Sequence, residues 1–268
     1  MVVAGIDIGS VSTKIALAVN GKIYKVVIPT GWSPRQAGEN VLAAALDQGG
    51  VDAKPDFIVV TGYGRIALPT ANKAVTEITC HARGVGYLLP EARVVIDIGG
   101  QDSKVIKIGQ QGRVLDFVMN DKCAAGTGRF MEVIAARLGV DVTELSDLAK
   151  DEIPVEINSM CTVFAESEVV GLLAKGIGKG PIVAGLHKAI ASRISAMVER
   201  MNPEAPIIFT GGIAQNKSLV HSLATQLKMS VLVPEECQFT GAIGAMIIAG
   251  EMAQALCPTK PIREGLSC

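Results

Sequence analysis

Short apolar segments alternate with longer amphipathic segments along the whole chain. Unbroken runs of Val, Ile and Ala are typical of strands buried on both faces, and apolar residues three or four positions apart are typical of helices. The pattern predicts strands at residues 2–7, 13–19, 22–28, 57–61, 93–98, 103–108, 113–118, 153–157, 206–210 and 230–233. It predicts helices at residues 34–47, 74–87, 127–139, 143–150, 163–175, 181–201, 217–228, 240–250 and 251–257. This alternation indicates an α/β protein.

The chain contains an internal repeat. The segment GIDIGSVSTKIALAV at residues 5–19 is echoed by VIDIGGQDSKVIKIG at residues 95–109, with Ile-Asp-Ile-Gly unchanged and Lys14 aligned with Lys104. Each copy has an apolar strand, an Asp, a turn of small residues and a second strand. The repeat therefore predicts two related lobes.

The turns of the repeat suit a phosphate group. Glycine lets backbone N–H groups approach an anion closely, and the turns contain Gly9, Gly99 and Gly100. Hydroxyl donors are added to the first turn by Ser10, Ser12 and Thr13. Asp7 and Asp97 end the preceding strands, where they are placed to hold a hydrated Mg²⁺. The alternative is two ordinary hairpins whose Asp satisfies the turn, and the matching copies favour nucleotide binding.

A third glycine turn follows the apolar run APIIFTGGIAQN. Gly211 and Gly212 come directly after a predicted strand, and Asn216 lies four residues further on. Neither a complete G-x-x-x-x-G-K-[ST] motif nor a complete G-x-G-x-x-G motif is present. The three turns predict a nucleotide held in a cleft between the lobes. The first lobe is expected to comprise residues 1–89 and the second residues 90–249, with 250–268 a candidate addition to the first.

The composition argues against several classes of partner and cellular location. Lys and Arg number 25 against 26 Asp and Glu, which gives no footprint for nucleic acid or for an anionic membrane surface. No apolar run approaches the ~20 residues that a membrane-spanning helix needs. The first residues lack a basic segment of the signal-peptide type, so we expect a cytoplasmic protein. Six cysteines without a C-x-x-C pair argue against a zinc ribbon or a thioredoxin motif.

Two cysteines precede predicted helices. Cys123 stands before GTGRFMEVIAARLG, and Cys161 stands before Thr162, a candidate helix cap. A helix N-terminus favours the thiolate form, which suits a nucleophile or a metal ligand, and a small buried hydrophobe is the third interpretation. Iron–sulfur clusters usually need four thiolates, so two chains related by a two-fold axis would supply the full set.

Seven segments together resemble the activator ATPases of (R)-2-hydroxyacyl-CoA dehydratases and the related ATPase subunits of benzoyl-CoA reductases. They are GIDIGSVSTK, TGYGR, VIDIGGQDSKVIKI, MNDKCAAGTGRFMEV, CTVFAESEV, TGGIAQN and GAIGA. The resemblance runs from residue 4 to about residue 249, and it implies the actin-like, sugar-kinase-like (ribonuclease H-like) fold with duplicated lobes. Nothing in it covers the tail, which includes Cys257 and Cys268.

The resemblance also implies a set of site residues. Cys123 and Cys161 match the ligands of one 4Fe-4S cluster shared by a homodimer. Asp7 and Asp97 would organise Mg²⁺, and Gln101 would orient the attacking water. The residues expected to contact ATP or ADP are Ser10, Ser12, Thr13, Lys14, Gly99, Gly100, Gln101, Gly211, Gly212, Asn216 and Gln238.

The implied function is an ATP-dependent one-electron reductase. A ferredoxin or flavodoxin would reduce the cluster, and ATP hydrolysis would drive the electron to a partner iron–sulfur dehydratase, or to a reductase of the benzoyl-CoA type. Two alternatives stay open. A small-molecule kinase of the same fold would explain the glycine turns, and a regulatory nucleotide-binding module would leave both cysteines merely buried.

Overall fold

The computed structural model describes residues 1–121, 123–158 and 161–256. The chain divides into two compact units. The first contains Met1–Pro90, Gly109–Val114 and the residues from Gln238 to the end of the described chain, and the second contains Glu91–Ile108 and Leu115–Cys237. Residues 257–268, with Cys257, Cys268 and the last residue of the final predicted helix, lie outside the described residues.

The described elements follow the predicted alternation of strands and helices. The strands are β1 (Val2–Ile8), β2 (Ser12–Val19), β3 (Lys22–Pro29), β4 (Phe57–Thr61), β5 (Lys73–Ala74), β6 (Val94–Ile98), β7 (Ser103–Ile108), β8 (Val114–Asn120), β9 (Ile207–Thr210) and β10 (Val231–Leu232). The α-helices are α1 (Pro34–Gly49), α2 (Glu77–Leu88), α3 (Gly128–Leu138), α4 (Leu145–Leu148), α5 (Thr162–Ala174), α6 (Lys179–Glu199), α7 (Lys217–Leu227) and α8 (Thr240–Leu256). Short 3-10 turns occupy Gln110–Gly112, Val142–Glu144 and Gly212–Gln215.

The two units have matching sheets. In the first unit the strand order is β3-β2-β1-β4-β5, and in the second it is β8-β7-β6-β9-β10. The central strand of each sheet, β1 or β6, is antiparallel to the strand that follows it and parallel to β4 or β9 respectively. Asp7 pairs with Lys14 across the first hairpin, and Asp97 pairs with Lys104 across the second. The predicted duplication is confirmed down to the strand register.

Each sheet buries an apolar layer beneath helices. In the first unit α8 packs against β1, and a Cβ atom on Gly5 would overlap the backbone of Ala242 and Met246. Glycine at position 5 thus lets the helix approach the strand closely. In the second unit α3, α5, α6 and α7 contribute to one continuous core that includes Ile96 and Phe209. None of the helices in the described residues is long and apolar enough to cross a membrane.

Several predicted boundaries differ from the structure. Residues 153–157 form no strand, because Pro154 has no N–H to donate and Val155 N–H donates instead to the carbonyl of Pro181, 3.1 Å away. The helices predicted at 240–250 and 251–257 form one helix, α8, over the residues described. The short strand β5 was not predicted.

The division into units also differs from the expected lobes. Residues 238–249, expected in the second lobe, lie in the first unit because α8 packs on β1, β4 and α2. The segment 109–114 joins the first unit as well. There Gly112 and Gly86 make a close backbone contact, since a Cβ on Gly86 would overlap Gly112.

Candidate functional site

The first glycine turn is closed by its own hydrogen bonds. Gly9 N–H donates to Ser12 O at 3.2 Å, and Thr30 Oγ1 donates to Gly9 O at 2.7 Å. Because the Thr30 hydrogen is used there, Thr13 Oγ1 donates to Thr30 Oγ1, 2.9 Å away. Thr13 is fully buried and its hydroxyl supports the turn, so its contact with phosphate stays a prediction.

Three polar side chains of this turn are only half-buried. Ser10 and Ser12 have half-buried side chains. Lys14 is half-buried too, and its Nζ donates to Ser12 O at 3.3 Å. Serine hydroxyls and a lysine ammonium of this kind can bind a phosphate oxygen, so these three residues remain suitable for the predicted role.

Asp7 lies in a close cradle of glycines at the end of β1. It is 6% exposed. A Cβ on Gly62, whose φ is +91°, would lie 2.5 Å from Asp7 Oδ1, and a Cβ on Gly241 would lie 2.9 Å from Asp7 Oδ2. Both glycines therefore leave the carboxylate room that any larger residue would take.

A histidine that the sequence did not single out lies beside this carboxylate. The Cβ position on Gly241 that is 2.9 Å from Asp7 Oδ2 is also 3.1 Å from His81 Nε2. The other ring nitrogen, Nδ1, is 2.9 Å from Thr240 Oγ1 in α8. His81 and Thr240 are 159 positions apart in the sequence, so no local motif could have linked them.

The second glycine turn has a different electrostatic arrangement. Lys104 is 1% exposed, and its Nζ donates to Asp97 Oδ2 at 3.2 Å and to Asp102 Oδ1 at 2.8 Å. Thr210 Oγ1 is 2.9 Å from Asp97 Oδ1. Both oxygens of Asp97 therefore have protein partners, which suits a residue that anchors the turn better than the open metal ligand that the sequence suggested.

The backbone of the second turn is bonded to the start of α3. Gly128 N–H donates to Gly99 O at 2.9 Å, and Arg129 N–H donates to Gly100 O at 2.8 Å. Gly99 N–H donates to Asp102 O at 2.9 Å. Gln101 is exposed on this turn and makes no side-chain hydrogen bond within the described residues. Its amide is thus available to orient a water.

The third turn is open at its tip. Gly211 has a φ of +90°, and a Cβ there would overlap Ile98 O, so only glycine fits. Gly212 is exposed, and a Cβ there would meet no heavy atom within 4 Å. This free space suits the approach of a flat ligand. Gln238, the remaining predicted contact, is half-buried in the first unit.

Asn216 holds the helix that follows the third turn. Leu219 N–H donates to Asn216 Oδ1 at 2.9 Å, which caps α7. Asn216 Nδ2 donates to His187 Nε2 at 3.2 Å, so the proton of the neutral ring is on Nδ1. Both polar atoms of the Asn216 side chain are engaged. The residue therefore holds the turn through these bonds, and its contact with adenosine stays a prediction.

The buried position of His187 predicts a pH dependence of stability. Burial lowers the pKa of His187 from 6.5 to about 4. The neutral ring therefore contributes stability that is complete above pH 6.5 and is lost as the pH falls towards 4. We expect the free energy of unfolding of His187→Gln to fall less steeply with decreasing pH than that of the parent. Urea titrations at several pH values across that range measure the slope. The exposed His221 provides the control: His221→Gln should follow the parent slope, and an unchanged slope in His187→Gln would contradict the prediction.

The two candidate ligand cysteines both lie in the second unit. Cys161 is exposed and is itself the residue that caps α5, so Thr162 is the first helical residue. Cys123 is half-buried, and Asn120 Nδ2 donates to its carbonyl at 2.9 Å. Helix α3 begins only at Gly128, so Cys123 lies outside the helix and is separated from it by residues 124–127. The N–H groups of Gly128 and Arg129, the first of α3, donate to the second glycine turn and not to the Cys123 thiol.

The described cysteines fall into two classes. Cys80 and Cys237 are buried, and burial raises the pKa of the Cys80 thiol to about 12. Cys123 is half-buried and Cys161 is exposed, and both are free cysteines. Within residues 1–121, 123–158 and 161–256, no group of three or more His, Cys, Asp or Glu could hold a metal ion.

Known proteins resemble this chain in sequence and in fold. Residues 4–249 match the BadF/BadG/BcrA/BcrD ATPase family. The (R)-2-hydroxyglutaryl-CoA dehydratase activating ATPase of Acidaminococcus fermentans is 42% identical over 93% of this chain and 97% of its own length. The activator of the 2-hydroxyisocaproyl-CoA dehydratase from Clostridium difficile, solved with bound ADPNP, superposes with a TM-score of 0.91 at 40% identity, over 98% of this chain and 99% of that one.

A more distant likeness concerns the fold alone. A ROK family glucokinase from Streptomyces griseus has a TM-score of 0.57 at 13% identity, covering 94% of this chain and all of the glucokinase (100%). The predicted sugar-kinase-like fold with two related sheets is therefore confirmed. From the match over residues 4–249, the chain belongs to the BadF/BadG/BcrA/BcrD ATPase family and is an ATPase of that family.

Proposed function

We propose that this chain is an activator that uses ATP hydrolysis to drive one electron to a partner iron–sulfur dehydratase acting on an (R)-2-hydroxyacyl-CoA. The observation that carries the proposal is the pair of accessible cysteines, Cys123 and Cys161, in the unit whose glycine turn is bonded to α3. A kinase or a regulatory module of the same fold gives these two thiols no function. The names of the similar activators support the choice of partner.

The nucleotide-binding residues have distinct roles in this proposal. Ser10, Ser12 and Lys14 bind phosphate oxygens at the first turn, and the amides that follow Gly99 and Gly100 bind them at the second. The tip at Gly212 approaches the adenosine, and Gln238 contributes from the first unit. Asp7 organises the waters of Mg²⁺, while Asp97 keeps Lys104 and the second turn in place.

The cysteines would hold a 4Fe-4S cluster shared by two copies of the chain. When bound, the cluster would supply a site that gains and loses one electron at low potential. Cys161 is presented at the N-terminus of α5, where the helix dipole favours the thiolate. Arg137 of α3 and Glu166 of α5 form an ion pair that joins the helices next to the two cysteines.

The remaining parts of the proposal concern partners and location. We expect a homodimer, a ferredoxin or flavodoxin as electron donor, and a cytoplasmic site of action. A benzoyl-CoA reductase-type protein is the alternative electron acceptor, because the sequence also resembles the ATPase subunits of benzoyl-CoA reductases.

One experiment tests the central claim. The protein is purified without oxygen and its absorbance, iron content, oligomeric state and ATP turnover are recorded. We expect a brown dimer with about four iron atoms and an ATPase activity. A colourless, iron-free protein after anaerobic reconstitution would refute the redox function. Phosphorylation of an added hydroxyl compound at the rate of ATP loss would favour the kinase.

Gln101→Ala should separate ATP binding from ATP hydrolysis. Gln101 is exposed on the second turn and is free to orient the attacking water, so its loss should lower kcat for ATP by about 10- to 100-fold while leaving ATP affinity nearly unchanged. Steady-state ATPase assays and nucleotide titrations give the two quantities. Gln111→Ala, in the segment 109–114 of the first unit, is the control and should behave as the parent. An equal loss of affinity and kcat in Gln101→Ala would assign the residue to binding.

Asp7→Asn should change the metal requirement of ATP hydrolysis. The substitution keeps the size of the side chain within its glycine cradle but removes the charge that attracts Mg²⁺. We expect the Mg²⁺ concentration at half-maximal ATPase rate to rise by about tenfold or more, corresponding to at least about 1.4 kcal/mol. Asp97→Asn serves as the comparison, because Asp97 is anchored by Lys104. If both variants shift the Mg²⁺ requirement equally, the separate roles assigned here are wrong.

A further inference from the structure

A groove runs along the outer face of α6 in the second unit. Its volume is about 680 Å³, within the range of sites that bind small molecules. Strand β8 and residues 155–157 line it beside the helix. Ala125 and Gly126, in the turn that follows Cys123, line it too. The groove therefore adjoins the proposed electron-transfer site and is separate from the three glycine turns.

Three cationic side chains line this groove without partners. Lys188, Arg193 and Arg200 make no hydrogen bond or ion pair within the described part of the chain. Glu156 is the one carboxylate in the lining, and it pairs with none of them. A cation that has no protein partner can neutralise an anionic group on another molecule at little cost in lost contacts.

The space between these cations is shaped for an extended partner. Lys188 and Arg200 are about 18 Å apart along the helix. The exposed face between them carries the small residues Ser192 and Ala196, which leave the backbone of α6 open to close approach. Deeper in the groove the lining is apolar and includes Phe130. Small and apolar surface framed by charge is the usual composition of a docking site.

An exposed apolar stripe continues the groove onto the edge of the sheet. Leu115, Phe117 and Met119 alternate along β8 and are 56%, 50% and 40% exposed, and Met119 also lines the groove. Strand β8 is an edge strand. Large apolar side chains that are adjacent and exposed mark surfaces that bind another protein. A small anionic molecule in the groove would leave this stripe unexplained.

We propose that the α6 groove and the β8 stripe dock an acidic protein electron carrier, the reductant of the cluster in the function proposed above. The occupant has carboxylates that meet Lys188, Arg193 and Arg200, and an apolar contact that covers β8. Small interfaces steered by charge are typical of transient redox complexes. One electron leaves the reduced carrier and is taken up at the Cys123–Cys161 site, with no bond made or broken.

A second copy of this chain is a poorer occupant. In a two-fold contact through the groove, the same patch would be buried on both copies, and its lining has three cations against the single carboxylate of Glu156. The chain as a whole has a formal charge of −1, so a copy offers no large acidic surplus to compensate. Charge complementarity therefore favours a distinct, acidic partner.

The test uses flavodoxin and a charge-reversed double variant, Lys188→Glu with Arg200→Glu. Arg193 is left unchanged because it packs on the cysteine turn, where a Cβ on Gly126 would lie 3.2 Å from Arg193 Cδ. Binding of oxidised flavodoxin is measured by calorimetry, with and without the cluster. We expect the Kd to rise at least about tenfold at low salt, and the difference to disappear near 0.5 M salt where exposed charges are screened to about 4–5 Å.

The control variant is Lys150→Glu, which reverses an exposed, unpaired lysine of the same unit outside the groove. It should bind flavodoxin as the parent does. With the cluster loaded, reduction by flavodoxin hydroquinone should slow in the double variant, whereas photoreduction by a small neutral deazaflavin should not. Thermal unfolding confirms that each variant is folded.

Other results would overturn the docking proposal. They are an unchanged flavodoxin affinity in the double variant, an equal effect of Lys150→Glu, or dissociation of the dimer as the main effect of the double variant. Failure of the proposed function would look different, because the parent protein would then hold no iron although flavodoxin binding could still be measured.

Discussion

Cys161→Ser should abolish cluster binding, lowering the iron content of anaerobically reconstituted protein to less than about a tenth of the parent value. The thiol is exposed at the start of α5, so a serine there costs little folding energy but replaces a soft thiolate with a hard hydroxyl. Because one chain supplies only two ligands in this proposal, loss of Cys161 removes two of four ligands from the dimer. Iron analysis and visible absorbance measure the effect, and Cys123→Ser should behave in the same way.

Cys237→Ala is the matched control for these two variants. Cys237 lies in the same unit but is buried, so its removal should leave iron binding intact and affect only stability. Full iron content in Cys161→Ser would show that the ligand assignment is wrong even if the protein is an ATPase. Equal loss of iron in Cys237→Ala would show that the effect comes from misfolding.

Lys104→Met should destabilise the second unit by about 3 kcal/mol or more, because it leaves the buried carboxylate of Asp97 without its countercharge. Lys104 is bonded to both Asp97 and Asp102, and methionine fills a similar volume without replacing either bond. Urea unfolding without nucleotide, followed by circular dichroism, measures the change in the free energy of unfolding.

Lys14→Met occupies the same register position in the first repeat and provides the comparison. Lys14 is half-buried and donates only to a backbone carbonyl, so the cost of this substitution should stay below about 1 kcal/mol. If the two substitutions cost the same, Lys104 does not carry the electrostatic role assigned to it.

Much of the fold could be predicted from the sequence because the signals are local. The apolar runs of the repeat specify strands, and the identical Ile-Asp-Ile-Gly segments place Asp7 and Asp97 at equivalent positions of equivalent sheets. The glycine turns were recognisable since each combines a strand end with residues that free the backbone. The segment 153–157 looked like a strand by composition, but its proline prevents the ladder from forming.

The partners of the site residues could not be predicted, since they come from distant parts of the chain. Thr13 is fixed by Thr30, Asp97 by Thr210 and Asn216 by His187. Each contact depends on how elements pack in three dimensions, and each gives a predicted site residue a supporting role in its turn. The position of α8 in the first unit likewise depends on its packing against β1. The apolar pattern of the helix does not indicate which strand it packs against.

The hydrogen bonds from α3 to the second turn affect how strongly the N–H groups of that turn can bind an anion. A trans peptide unit is planar, with its C=O and the following N–H pointing in opposite directions. The peptide unit that contains Gly99 O therefore also contains the N–H group of Gly100, on its opposite side. The unit that contains Gly100 O contains the N–H group of Gln101 in the same way. Since α3 donates to those oxygens, it polarises the same peptides and strengthens their N–H groups as donors. In the proposed function, a phosphate bound to these N–H groups is therefore connected through single peptide units to the first amides of α3, the helix that follows the Cys123 turn.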